Sequence, residues 1–105
     1  MFEQKTYFVY ILASKRNGSL YVGITSDLEV RVYQHRHGEY DGFTKTYRIH
    51  MLVYYEMHED VDGSIAREKQ IEKWKRAWKL ALIEKRNPKW LDLCTDDGVI
   101  LPLPK

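Results

Sequence analysis

Only one cysteine, Cys94, occurs among the 105 residues, so no internal disulfide can form. A chain that uses thiols this sparingly fits a reducing compartment, and the cytoplasm is the expected location. A basic start followed by an apolar run is missing, and so is any apolar stretch long enough to span a bilayer. Neither a leader peptide nor a membrane anchor is therefore expected. Repeats and low-complexity segments are lacking as well, and 105 residues fit a single domain. Even the net charge is small, at +2, and by itself does not point to a polyanionic partner.

The residues present are those of an ordinary soluble globular chain, with 44% hydrophobic and 30% charged positions. Eight Tyr, three Trp and three Phe give 13% aromatics, more tyrosine than burial alone requires. Charge is unevenly spread. From Arg67 to Lys89 nine Lys/Arg stand against three Glu, a local excess of six positive charges. Acid collects at Glu56, Glu59, Asp60 and Asp62, and again at Asp92, Asp96 and Asp97. A solvated helix face and a phosphate-binding strip both fit the basic run. Its candidate nucleic-acid contacts are Lys69, Lys73 and Arg76.

Tyr7–Ala13 and Leu20–Thr25 are apolar runs rich in β-formers, separated by a segment containing Asn17-Gly18, which predicts a β-hairpin. Ser26-Asp27-Leu28-Glu29 has the form of a capping box with Ser26 as N-cap, and Gly38 should stop the helix after His37. A loop over Glu39–Tyr47 leads to a third strand, His50–Met57. A long helix then runs to Arg86, bent near Arg76, with Ile71, Trp74, Trp78 and Leu82 on one apolar stripe. Asn87-Pro88 ends it. The expected fold is α+β, a small three-stranded antiparallel sheet with helices packed on it in the order ββαβα. Residues 1–93 form the domain and residues 94–105 a loose C-terminal tail.

Some polar groups fall where apolar ones would pack better. Tyr10 and Tyr21 share one face of the hairpin, directly opposite each other if the loop is the four residues Ser14–Asn17, and Gly23 leaves a shallow space there. Arg31 and His35, one turn apart, border the stripe of Leu28 and Val32 that must face the sheet. Glu68 borders the stripe of Ile71. Each has an ordinary alternative: a packed tyrosine pair, a surface arginine with a half-buried histidine, a helix-surface glutamate. Together they place two phenols, a cation, an imidazole and a carboxylate at one sheet–helix junction.

With these residues in this order, the sequence resembles the GIY-YIG nuclease superfamily. The likeness is to its small single-domain bacterial members, related to the nuclease module of the excinuclease of nucleotide-excision repair. Phe8-Val9-Tyr10 stands for the first half-motif, with Phe8 in place of the name-giving glycine, and Tyr21-Val22-Gly23 for the second. Arg31 and His35 match an R-x-x-x-H pattern, Glu68 the metal-binding glutamate and Asn87 a late asparagine.

The resemblance implies a metal-dependent endonuclease acting on nucleic acid, with DNA the expected substrate and repair or recombination the expected setting. Glu68 would hold one Mg²⁺ or Mn²⁺. Arg31 would neutralise phosphate charge, and Tyr21 would act as the base. A free phenol with a pKa near ~10 is a poor base at neutral pH, so the metal and Arg31 would have to lower it. Tyr10 would bind phosphate or assist Tyr21, His35 is a secondary proton-transfer candidate, and Asn87 would orient Glu68 or the tyrosines. The alternative is a catalytically silent nucleic-acid-binding or protein-interaction module of the same fold. The lack of an attached targeting domain implies either weak cutting alone or recruitment by a partner protein.

Overall fold

Strands β1 (Tyr7–Ala13) and β2 (Leu20–Thr25) form where the apolar runs place them. The structure, a computed structural model, describes residues 5–39 and 42–104. Between these strands the chain turns through residues 14–19. Asn17 takes a left-handed φ of 58° and the Ser14 hydroxyl accepts the Ser19 amide at 2.9 Å. The connection has the six residues that the expected strand bounds leave, two more than the four-residue loop that would set the tyrosines opposite each other. Ala13 consequently pairs with Leu20, Tyr10 with Gly23 and Leu12 with Tyr21. The tyrosines keep a common face because a shift of two preserves the pleat, but they sit diagonally rather than opposite.

Helix α1 (Leu28–Arg36) follows at once. Its N-cap is Asp27, not Ser26: the Asp27 carboxylate accepts the Val30 amide at 3.2 Å, and the Thr25 hydroxyl in turn accepts the Asp27 amide at 3.0 Å. Gly38, at φ +68°, ends the helix as expected. The presumed loop after it contains a short helix, α2 (Gly42–Thr46); Tyr40 and Asp41 lie outside the described residues. Strand β3 (Met51–His58) starts and ends one residue later than the sequence suggested and pairs antiparallel with β1, so the sheet order is β2-β1-β3.

The expected long helix is two. Helix α3 (Val61–Lys73) ends at Trp74 and α4 (Arg76–Arg86) begins after Lys75, both linking residues being extended with ψ near 150°. The break lets α4 turn beside the hairpin, where the Arg76 guanidinium donates to the carbonyls of Asn17 and Gly18 at 2.7 and 2.6 Å. The helices cover both faces of the sheet, not one. Leu28 and Val32 of α1 pack with Tyr10, Leu12 and Leu52; Ile71 of α3 and Ile83 of α4 pack with Val9, Ile11 and Val53 on the other side. Two-sided cover explains why β1 is buried from Val9 through Ala13.

Residues 94–104 are no loose tail. The Leu93 amide donates to the Leu52 carbonyl at 2.7 Å, Cys94 bridges to Ile100, and Leu101 carries the chain back past Tyr55, whose hydroxyl donates to the Leu101 carbonyl. Asp92 organises this return. Its carboxylate accepts two bonds of 2.7 Å from the Arg36 guanidinium together with the amides of Leu52 and Cys94. Arg36 also donates to the carbonyls of His50, Thr95 and Cys94.

The β1–β3 register slips after Ile11, which pairs with Tyr54, whereas Leu12 pairs with Leu52. Val53 is the extra residue, and the bulge puts Val53 and Tyr54 into the same core although they are consecutive. Its buried carbonyl accepts from the Asn87 side chain at 2.9 Å. The Asn87 amide also bonds the Leu91 carbonyl and the Leu91 N–H, each at 3.0 Å, with the residue fully buried. Asn87→Ala would strand these buried groups and should cost about 2–4 kcal/mol. For a domain of this size, Tm should fall by on the order of 10 °C in a calorimetric scan. An unchanged Tm would contradict this role.

Candidate functional site

Gly23 pairs with Tyr10 across the hairpin, and a Cβ there would lie 2.5 Å from both the ring carbon Cζ and the hydroxyl of Tyr10. The shallow space that the second strand leaves is thus filled by the Tyr10 ring. The residue is completely buried, and its hydroxyl meets His35 Nε2 at 2.9 Å. His35 comes from the sheet-facing side of α1, one turn beyond Arg31, and is also fully buried. Its other ring nitrogen, Nδ1, lies 3.0 Å from the hydroxyl of Thr44 in α2, again fully buried. A hydroxyl can donate or accept, so either neutral tautomer satisfies the Tyr10–His35–Thr44 chain.

Tyr21 lies beside the middle of this chain. It is half-buried, its ring centroid is 4.9 Å from that of His35 in an edge-on arrangement, and 6.3 Å from that of Tyr10. The structure therefore brings Tyr10, Tyr21 and His35 together. Arg31 is half-buried on the same helix as His35. Of the two phenols, Tyr21 is the one placed to meet an incoming molecule, since Tyr10 is sealed by its neighbours. Thr44 was not evident from sequence: it lies in a segment read as loop, nine residues beyond its partner.

Glu68 projects from α3, on the other layer. Its carboxyl is pushed above the ordinary range, first by burial and then by a hydrogen bond to Glu72 one turn on. The two glutamates therefore repel, and the negative charge on this part of α3 is only partly offset by Lys69. A carboxylate with its charge only partly offset suits a divalent metal bound through one or two carboxylates and its own waters. Among the described residues no group of three or more His, Cys, Asp or Glu converges, so a closed cage of protein ligands is not what is offered.

Next to Glu68, Arg67 fixes the helix. Its guanidinium donates to the Glu56 carboxylate on β3 at 2.8 Å and lies 5.1 Å from the Trp74 ring centroid. Tyr54 and His58 complete the circle around Glu56. Burial pushes the Glu56 carboxyl up, but the bonds from Arg67, Tyr54 and His58 outweigh it and hold it below the usual range. The Tyr54 phenol is driven well upward, by burial and then by that carboxylate. This clamp was also missed, although a glutamate inside an otherwise apolar strand was the available signal.

The remaining expected residues divide. Lys69 and Lys73 are exposed on α3. Arg76, expected to meet phosphate, has a guanidinium nitrogen committed to the hairpin loop, because the break before α4 delivers it there. Asn87 was expected to orient Glu68 or the tyrosines; both its amide hydrogens and its oxygen instead bond backbone groups of Val53 and Leu91. The Tyr10–Gly23 contact generates a direct test. Gly23→Ala should displace the Tyr10 ring, lowering Tm and changing the His35 ring resonances in an NMR titration. Retention of both would mean that the ring does not depend on the missing Cβ.

Comparison with known proteins shows the family. The GIY-YIG catalytic domain matches residues 6–81. A UPF0213 protein of Staphylococcus haemolyticus is 40% identical over 80 residues, covering 76% of this chain and 96% of its own. One from Staphylococcus aureus is 40% identical over 81 residues, covering 77% and 98%. The solution NMR structure of a Bacillus halodurans UPF0213 protein superposes with a TM-score of 0.53 at 23% identity, over 83% of this chain and 92% of the other, a likeness of fold. The ordered tyrosines, the Arg31–His35 helix and the matched span together make this chain a member of the GIY-YIG catalytic-domain family.

Proposed function

We propose that the chain is a divalent-metal-dependent endonuclease that hydrolyses phosphodiester bonds in nucleic acid, with DNA as its substrate and repair or recombination as its setting in the cytoplasm. Membership of a nuclease family supports the reaction class. The observation that carries the reading is the buried Tyr10–His35–Thr44 chain, with half-buried Tyr21 packed edge-on against its central His35. Apolar residues would fill these positions at less cost, since buried polar groups are tolerated only when paired.

Tyr21 is the group that takes the proton of the attacking water. Tyr10 and His35 hold its ring by packing against it, so Tyr10 assists instead of binding phosphate. Arg31 neutralises phosphate oxygens from α1. Glu68 holds one Mg²⁺ or Mn²⁺, which when bound polarises the scissile phosphate and stabilises the leaving 3′-oxygen. Lys69 and Lys73 add phosphate contacts from α3. Asn87 acts indirectly, through the β3 bulge. A recruiting protein would direct the domain to its sites.

Two substitutions test this assignment against labelled DNA and RNA structures with Mg²⁺ or Mn²⁺. Glu68→Gln should abolish cleavage and leave Tm nearly unchanged, because it keeps size and helix propensity and removes only the charge. Tyr21→Phe should lower kcat by roughly 10²- to 10⁴-fold with little change in KM, the range for a lost general base. Undiminished cutting by Glu68→Gln would remove the metal-site assignment.

A further inference from the structure

The stripe Ile71, Trp74, Trp78 and Leu82 reads as core in the sequence, but the break between α3 and α4 leaves it open. Ile71 is buried, whereas Trp78 is 56% exposed. Trp74, Trp78, Ala81, Leu82 and Lys85 line an open groove along these helices. The two indoles stand nearly perpendicular at a centroid distance of 6.1 Å, so the Trp78 faces are not used up by stacking on Trp74. Helical geometry brings Lys75 and Lys85 onto the Trp78 side of α4, with Lys79 and Arg86 on one flank. Glu84, the one acidic residue of α4, falls on the far side.

We propose that this groove is a stacking platform for unpaired bases, so that the protein binds nucleic acid carrying a single-stranded stretch. The inference builds on the nuclease reading, since it names the form of the substrate. An exposed aromatic in an apolar groove edged by cations suits a base beside its phosphate, each base offering a π-face and each nucleotide a negative charge. An acidic protein segment would satisfy the charges but not the flat indole. A duplex would satisfy the charges while keeping its bases stacked on each other. Helix α4 also begins beside the hairpin that carries Tyr21. Arg76, at the start of α4, bonds the hairpin loop at Asn17 and Gly18, and Tyr21 follows that loop on β2. A strand leaving Trp78 along the basic side of α4 would reach the hairpin end of the sheet.

The test uses the whole protein in EDTA, where binding is read without cutting. Fluorescence anisotropy compares an oligothymidylate of about 12 nucleotides with a blunt duplex of the same length. Tryptophan emission is followed in parallel, and an oligouridylate arm reads whether the sugar matters. The single strand should bind and quench emission. Trp78→Ala should weaken that binding roughly 5- to 100-fold, the loss expected for one base stack, and remove most of the quench. Blunt-duplex binding should stay within about twofold, and Trp78→Phe should keep most of the affinity. Because Trp78 is half-exposed, circular dichroism should show Trp78→Ala folded. Lys85→Glu gives a reading independent of the tryptophan and should weaken single-strand binding too.

The proposal is overturned if Trp78→Ala binds oligothymidylate like the parent or loses duplex and single strand equally. It is overturned too if Lys85→Glu leaves single-strand binding unchanged. Dimerisation in sedimentation, or binding to anionic vesicles, that Trp78→Ala abolishes would assign the groove to another occupant and also overturn it. Stacking without any cleavage in metal would sink the nuclease reading alone; cleavage with Trp78 dispensable for binding would sink only this inference.

Discussion

The Tyr10 ring occupies the volume in which any other residue at position 23 would place its Cβ. That contact sets the depth of the ring beneath α1 and hence where its hydroxyl meets His35. From there the constraint passes to Thr44 through the second ring nitrogen, which ties the short α2 to the sheet. Three polar side chains with no exposure among them are tolerable only because each is bonded to the next. Tyr21 then inherits its position from the edges of His35 and Tyr10.

The opposite layer is held by charge. Arg67 and Glu56 join α3 to β3, and on a helix the residue after Arg67 must point about 100° away from that clamp. Glu68 is thereby fixed on α3 without itself pairing with a cation in the clamp. Its raised carboxyl and its contact with Glu72 express the same arrangement, negative charge gathered where no protein cation cancels it fully.

Between the layers, the Val53 bulge and the returning chain close the β3 side of the sheet. A bulge leaves a backbone carbonyl without its ladder partner, and Asn87 supplies the missing donor from the end of α4. Asp92 does the corresponding work for the amides of Leu52 and Cys94 while holding Arg36 of α1. The C-terminal segment is thus fastened to both α1 and β3, and it ties α1 to the sheet.

The strands, the first helix and the common face of Tyr10 and Tyr21 were legible because periodicity and a hairpin signal act over a few residues, and the pleat preserves a face under any even shift. His35 and Arg31 on one side of α1, and the membership of Glu68 in a helix, were legible for the same local reason. The bulge at Val53 was not, and the helix break at Trp74-Lys75 was legible only as a bend near Arg76. No Gly or Pro marks that break; it pairs with the Arg76 bond to the hairpin loop, a contact 59 residues away in sequence. Thr44 as the partner of His35, Asn87 as the partner of Val53 and the open face of Trp78 likewise arise only when distant segments meet. Local sequence determined which elements form and which faces they present; long-range packing decided which polar groups found each other, because a buried donor must take whatever acceptor the assembled fold brings within reach.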